Sequence, residues 1–194
     1  MSGFSTARQK MVDGQVRPSD VTDIRIIDAM LAVPRETFVP ENKRALAYLD
    51  LDLEVGEAGS EKQFLIQPAV LAKMLQAAEI KETDNVLVVG CASGYAAAVI
   101  GQFARQVHSA TGADGDPAKA PFDVIVLNGA TEIVPQKLYG QLRDGGRLVG
   151  VFAMSQPQRA TIVTRSHGDF GNRALFDAAV PVLPGMERLP AFVF

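Results

Sequence analysis

Apolar and polar positions change rhythm partway along this chain. In SDVTDIRIIDAMLAV (residues 19–33), Val21, Ile24, Ile27, Met30 and Leu31 recur at the spacing of one helix face, with Ser19, Asp20 and Thr22 as candidate N-caps. Residues 5–17 before it predict a polar helix. Pro34 stops the second helix, and PRETFVP is a turn between two prolines. NKRALAY predicts a short helix, and the alternating LDLEVG a strand. QPAVLAKMLQAAEI predicts a helix with Pro68 in its first turn, where the missing N–H costs least.

From Asn85 onward the pattern is different. NVLVVG and FDVIVLNGA are continuous apolar runs, as expected of strands buried on both faces of a parallel sheet. GYAAAVIGQFA and PQKLYGQLRD predict helices, and QVHSA, GGRLVGVFAM, RATIVTRS and PAFVF predict further strands. Strands alternating with helices make an α/β protein with a doubly wound, mostly parallel sheet. Residues 1–83 then form an N-terminal helical cap and strand, residues 84–194 the core, and the whole a single domain.

Charge and composition narrow the chemistry. The formal net charge is −3, and no dense Lys/Arg cluster stands out, so a nucleic-acid partner is not expected. No apolar run reaches the roughly 18 residues of a membrane span, and the first residues lack the apolar stretch of a signal peptide. Cys91 is the one cysteine, so no intrachain disulfide forms, which fits a cytoplasmic location. One cysteine and two histidines argue against a Cys/His metal site.

VLVVGCASGYAAAVIG (residues 86–101) is the most informative stretch. A buried strand runs into a small-residue turn and then a helix. Gly90 and Gly94 let backbone approach a ligand closely, and the start of the helix offers unpaired N–H groups. The turn is neither the phosphate loop G-x-x-x-x-G-K-[ST] nor the G-x-G-x-x-G fingerprint. Gly90, Cys91, Ala92, Ser93, Gly94 and Tyr95 are candidate cofactor-binding residues. Asn128, at the end of a buried strand on the same sheet edge, is another. Cys91 lacks a histidine predicted beside it and is not expected to be a nucleophile. Asp114, Asp116, His108 and His167 are expected on loops, strands or the surface. Arg35 and Glu36 are expected to fix the cap by ion pairs.

Several segments, in order, are similar to one family: MVDGQVR, DIRIIDAMLAVPRETFVPENKRALAYLD, IQPAVLAKMLQAAEI, DNVLVVGCASGYAAAV and APFDVIVLNGATEIVPQKLYGQLRDGGRLVGVF. Together they resemble the protein-L-isoaspartate O-methyltransferase family over most of residues 8–152, and FDAAVPVLPG near the end is also similar. The resemblance implies a Rossmann-like methyltransferase fold with S-adenosylmethionine as cofactor. It also implies esterification of the misplaced carboxylate of isoaspartate in damaged proteins or peptides. Such a reaction needs positioning and partial desolvation more than acid–base side chains. A family member with a different methyl acceptor, or a non-catalytic binding or assembly protein on the same fold, are the alternatives.

The chain departs from the family in three places. Val88 stands where an acidic residue usually precedes the first glycine by two, and Ala92 replaces the middle glycine of the turn. Phe64-Leu65-Ile66-Gln67-Pro68 replaces a Thr-Ile-Ser-Gln-Pro-like segment, so Ile66 stands for the serine at the acceptor carboxylate, beside the matching Gln67. Ile66 and Gln67 are therefore candidate acceptor-site positions. Finally, VHSATGADGDPAKAPFD (residues 107–123) is too short for the family's strand, helix and third strand. Either that unit has been lost, or two pieces are joined across a missing stretch; the second is the expectation, with a break between Val107 and Pro117, near Ala110 to Gly112.

Overall fold

The computed structural model describes residues 3–56, 62–91 and 93–189. Ala92 and the PAFVF segment lie outside the described residues. The cap opens with α1 (Gly3–Met11), whose turns widen over Val12–Val16 and tighten over Arg17–Ser19. In α2 (Ile24–Ala32) the cap is Asp23, not Ser19, Asp20 or Thr22. The Asp23 carboxylate accepts the Arg25 N–H at 3.0 Å and the Arg25 guanidinium at 2.6 Å, which holds it over the first turn. Ile24, counted on the apolar face, is exposed, and Ile26, Ile27, Ala29 and Met30 are the buried residues. β1 (Leu53–Glu54) and β2 (Phe64–Leu65) form a small antiparallel ribbon, and α3 (Pro68–Ala78) starts on its proline.

The remaining strands form one sheet. They are β3 (Asn85–Val89), β4 (Gln106–Ala110), β5 (Phe122–Thr131), β6 (Leu142–Phe152), β7 (Arg159–Ser166) and β8 (Asp169–Asp177). Their order is β4-β3-β5-β6-β7-β8. β3 to β6 are parallel to one another, and β7 and β8 add antiparallel. α4 (Tyr95–Ile100) links β3 to β4, and α5 (Gln136–Tyr139) links β5 to β6. The α/β class is thus as the sequence pattern predicts.

Three elements differ in detail. PQKLYGQLRD is helical for one turn only, because Leu142 already pairs with Phe122 of β5. β8 carries no burial alternation, since nearly all of it faces solvent, and so left no periodic signal. The chain also runs on from β4 to β5 through turns over residues 111–121, and the expected break is not there. The Gln141 amide clamps this short crossover, donating to Asp114 O (2.7 Å) and accepting the Asp116 N–H (2.9 Å). The crossover lies against α5 on the face where a longer connection would pack. β4 therefore ends the sheet. It is short, and its exposed Gln106 and Ser109 make a poor template for further pairing.

One apolar cluster runs from Met11 and Met30 of the cap through Leu71 and Leu75 of α3 to Val88 and Val126 of the sheet. A smaller one, around Leu127, Leu138 and Leu148, fills the other face. Between cap and sheet lies Arg35, 1% exposed. Its guanidinium donates to Ala47 O (2.7 Å) and Ile66 O (2.8 Å) and covers the Tyr95 ring at 4.8 Å. The expected ion pair belongs to Glu36 alone, which meets Arg8 at 3.7 Å and accepts the Tyr48 hydroxyl. Arg35 works instead by satisfying two buried carbonyls on separate segments.

Arg35→Met keeps the apolar stem and leaves those carbonyls unpaired, so a loss of about 2–4 kcal/mol is expected in urea unfolding. A change within about 0.5 kcal/mol, the range of ordinary surface substitutions, would contradict this role.

Candidate functional site

β3 and β5 are neighbours whose outgoing connections leave in opposite directions, β3 toward β4 and β5 toward β6. Such a switch point opens a crevice beyond the strand ends. Here the crevice is lined by Lys62, Phe64, Gly90, Thr111, Asn128 and Leu183, among others.

Gly90 turns the chain out of β3 at φ +78°, a conformation costly for any residue with a Cβ. Its N–H donates to Ala110 O of β4 at 2.8 Å, which fixes the floor of the crevice. Gly94 caps α4 in the same left-handed region. α4 is six residues long, too short for its dipole to matter much, so the polar groups on offer come from the turn itself.

Asn128 is brought in by an irregularity in β5. Val126 pairs with Val149 and Ala130 with Val151, so Leu127, Asn128 and Gly129 together oppose Gly150. Such a bulge re-aims side chains at a sheet end. It needs a glycine opposite, since a Cβ on Gly150 would stand 2.7 Å from the Cβ of Leu127. Asn128 is 3% exposed, and its Nδ2 donates to Gly90 O at 3.2 Å. Its Oδ1 is buried with no hydrogen-bond partner.

The crevice is roofed by residues 180–188, which cross the end of β5 as a strap. Ala130 N donates to Pro181 O (2.8 Å), Leu183 N to Ala130 O (2.9 Å) and Glu132 N to Met186 O (2.9 Å). The Leu183 side chain rests on Gly90. The space left is about 10 Å³, room for about one water. Among the described residues that line the crevice, Lys62 carries the only charge and none is a carboxylate.

The other sequence candidates fall elsewhere. Tyr95 is fully buried against Phe38, ring centroids 5.6 Å apart, and does not line the crevice. Cys91 is buried, which pushes its thiol above the usual range and keeps it protonated at neutral pH. Ser93 Oγ lies 3.4 Å from the Tyr95 N–H. Val88 is fully buried and brings no polar group. Ile66 is 1% exposed and points into the core, so its side chain does not face an acceptor; Phe64 two residues earlier does line the crevice. Gln67 is tied to Asp52, which accepts its N–H at 3.0 Å and its side-chain amide at 3.3 Å. Asp114 pairs with Lys137 on the surface, His108 packs near Phe122, and His167 sits in the β7–β8 turn. Phe64, read from the sequence as replacing a threonine, lines the crevice, whereas Thr111 and Leu183 carried no sequence signal. FDAAVPVLPG was noticed as a similarity, but nothing local says that Leu183 reaches a turn more than 90 residues earlier.

This crevice at a glycine turn, on this sheet order, is that of a Rossmann-like methyltransferase. The family described as Protein-L-isoaspartate(D-aspartate) O-methyltransferase matches residues 6–110 and 104–176. The protein-L-isoaspartate O-methyltransferase of Roseiflexus sp. (strain RS-1) is 34% identical, covering 96% of this chain and 98% of that one. That of Rhodopseudomonas palustris (strain ATCC BAA-98 / CGA009) is 36% identical over 91% and 93%. A solved protein-L-isoaspartate O-methyltransferase superposes with a TM-score of 0.77 at 22% identity, covering 92% of this chain and 66% of its own. A putative one from Plasmodium falciparum, in complex with S-adenosyl-L-homocysteine, gives 0.70 at 14%, covering 94% and 99%. The chain belongs to the protein-L-isoaspartate(D-aspartate) O-methyltransferase family, and with it to the methyltransferases. The two matched stretches overlap at residues 104–110, and the Roseiflexus alignment runs over 219 positions against a chain of 194. The Roseiflexus alignment is thus longer than this chain, and the family match divides at β4, just before the short β4–β5 crossover.

Gly90→Ala is expected to lose about 1–3 kcal/mol through its positive φ alone, read as a lower midpoint in thermal unfolding. The added methyl would also stand 2.3 Å from Leu183 Cδ2. An unchanged midpoint would mean that the turn is not held as described.

Asp52 gives a pH prediction. Burial raises its carboxyl pKa, with the Gln67 hydrogen bonds opposing. A raised carboxyl pKa means that the folded state favours the proton, so ionised Asp52 costs stability at neutral pH. That cost fades as the pH falls toward the ordinary 3.8. Asp52→Asn, which can still accept the Gln67 N–H, is expected to raise the calorimetric midpoint near neutral pH and to lose that advantage in acid. A gain that grew in acid would reverse the sign and refute this account.

Proposed function

We propose that this chain transfers a methyl group from S-adenosylmethionine to the carboxylate of isoaspartyl residues in proteins or peptides, working as one domain in the cytoplasm. The observation that carries this reading is the buried, unpartnered Asn128 Oδ1 beside the glycine turn, inside a family match that spans both. A buried acceptor with no partner at a sheet switch point is a place for a donor group on a ligand.

The residues present suit the cofactor in chemistry. Gly90 keeps the turn open to close approach, and Asn128 Oδ1 and Thr111 supply polar contacts. When bound, S-adenosylmethionine supplies the electrophilic methyl group. The chain's own work is to hold the acceptor carboxylate in line and to limit water. Phe64 lines the crevice three residues before Gln67, the N-cap of α3, in the segment that the resemblance assigns to the acceptor. Among the described residues no crevice carboxylate is present to grip the cofactor, so its binding is expected to be weaker than that of a site with an acid.

A second reading keeps the cofactor and changes the acceptor. It rests on Ile66, which stands where the resemblance places a serine and whose side chain is in the core. Methyl incorporation into an isoaspartyl peptide, compared with the ordinary aspartyl peptide, decides between them. Incorporation confined to the isoaspartyl form is expected. Cofactor binding without it would favour the second reading.

Asn128→Ala is expected to weaken S-adenosylhomocysteine binding about tenfold, the worth of one good hydrogen bond. Calorimetric titration checks this, and an affinity equal to wild type would remove Asn128 from the site.

A further inference from the structure

The strap over β5 does more than cover an edge. An added Cβ at Gly90 would lie 2.3 Å from Leu183 Cδ2, and one at Gly129 would lie 2.7 Å from the same atom. The Leu183 side chain thus lies directly on the two glycines that flank Asn128. It is 8% exposed and belongs to the smaller apolar cluster. The strap backbone is pinned by its hydrogen bonds to β5, so what fills the cradle is a side chain that can turn about its own bonds.

We propose that Leu183 is a plug for the cofactor cradle, so that cofactor binding requires its side chain to leave Gly90. The inference rests on the cofactor reading above and adds the residue that controls access to the site. Two observations converge on it. The crevice holds room for about one water (≈ 10 Å³), far too little for a nucleoside. Beneath the plug, Asn128 Oδ1 is buried and unpartnered, a state that a ligand in place of the plug would relieve. Binding then draws on the minority of molecules whose plug is out, and the apparent affinity falls by that fraction. Selectivity follows too: a ligand must bring enough apolar surface over Gly90 to replace the leucine it displaces.

The test is calorimetric titration of the full chain with S-adenosylhomocysteine, as wild type, Leu183→Ala and Met186→Ala. Met186 is buried on the same strap but lies outside the crevice lining, so it controls for general loosening. Leu183→Ala is expected to bind about tenfold tighter or more, and Met186→Ala within about twofold of wild type. Leu183→Ala should also melt lower without ligand and gain more from it. If it folds poorly, Leu183→Val is expected to shift affinity the same way by about threefold. In methyl NMR of wild type, the Leu183 resonances should move when the ligand is added. Equal affinities in all chains, or still Leu183 methyls, overturn the plug while leaving the cofactor reading intact. No binding by any chain at millimolar ligand overturns both.

Discussion

Everything in this molecule accommodates the complete burial of β5. All ten of its residues are buried, so each of its backbone N–H and C=O groups needs a partner inside the protein. β3 serves one edge and β6 the other, but the bulge at Leu127–Gly129 interrupts the β6 ladder. The strap from residue 180 onward takes over the β3 edge where that strand has ended, pairing Val182 beside Ala130 and taking the Ala130 N–H and C=O and the Glu132 N–H. The bulge that turns Asn128 toward Gly90 and the strap that lays Leu183 on Gly90 are thus two results of one backbone requirement.

The site follows from that arrangement. It is apolar and tightly closed, with polar groups supplied by a turn and one amide. A methyl transfer to a carboxylate asks for alignment and exclusion of water rather than proton transfer, so a site without an acid–base pair among its described residues is adequate to the task. Val88, fully buried on β3, stands where the resemblance places an acid and brings no charge to the crevice.

The short β4–β5 crossover shows how an α/β sheet can end at β4 without a further edge unit. A longer connection would cover one face and extend the sheet past β4. Here Gln141 anchors a turn-rich loop on that face by two hydrogen bonds, and the sheet ends on a short strand with polar exposed positions. Within the cap, the Arg35 guanidinium ties Ala47 to Ile66, and it meets the core by covering the Tyr95 ring, so the segment bordering the crevice is braced from behind.

Much of this was legible along the chain. Apolar runs at Asn85–Val89 and Phe122–Thr131 announced buried parallel strands, Pro68 marked a helix start, and the glycines at 90 and 94 marked the turn, because each signal is local and set by backbone sterics or burial. The family resemblance was also carried by contiguous words. What the chain order could not convey was which distant segments meet. The exposed β8 left no periodicity, the bulge depended on Gly150 of a neighbouring strand, and Ile66 turned inward because Arg35 holds its carbonyl. Tyr95 and Ile66 were assigned to the site by their neighbours in sequence, whereas burial assigned them to the core. Leu183 entered the site only because packing brought a C-terminal strap across the end of β5, a contact between residues far apart in sequence that no local pattern encodes.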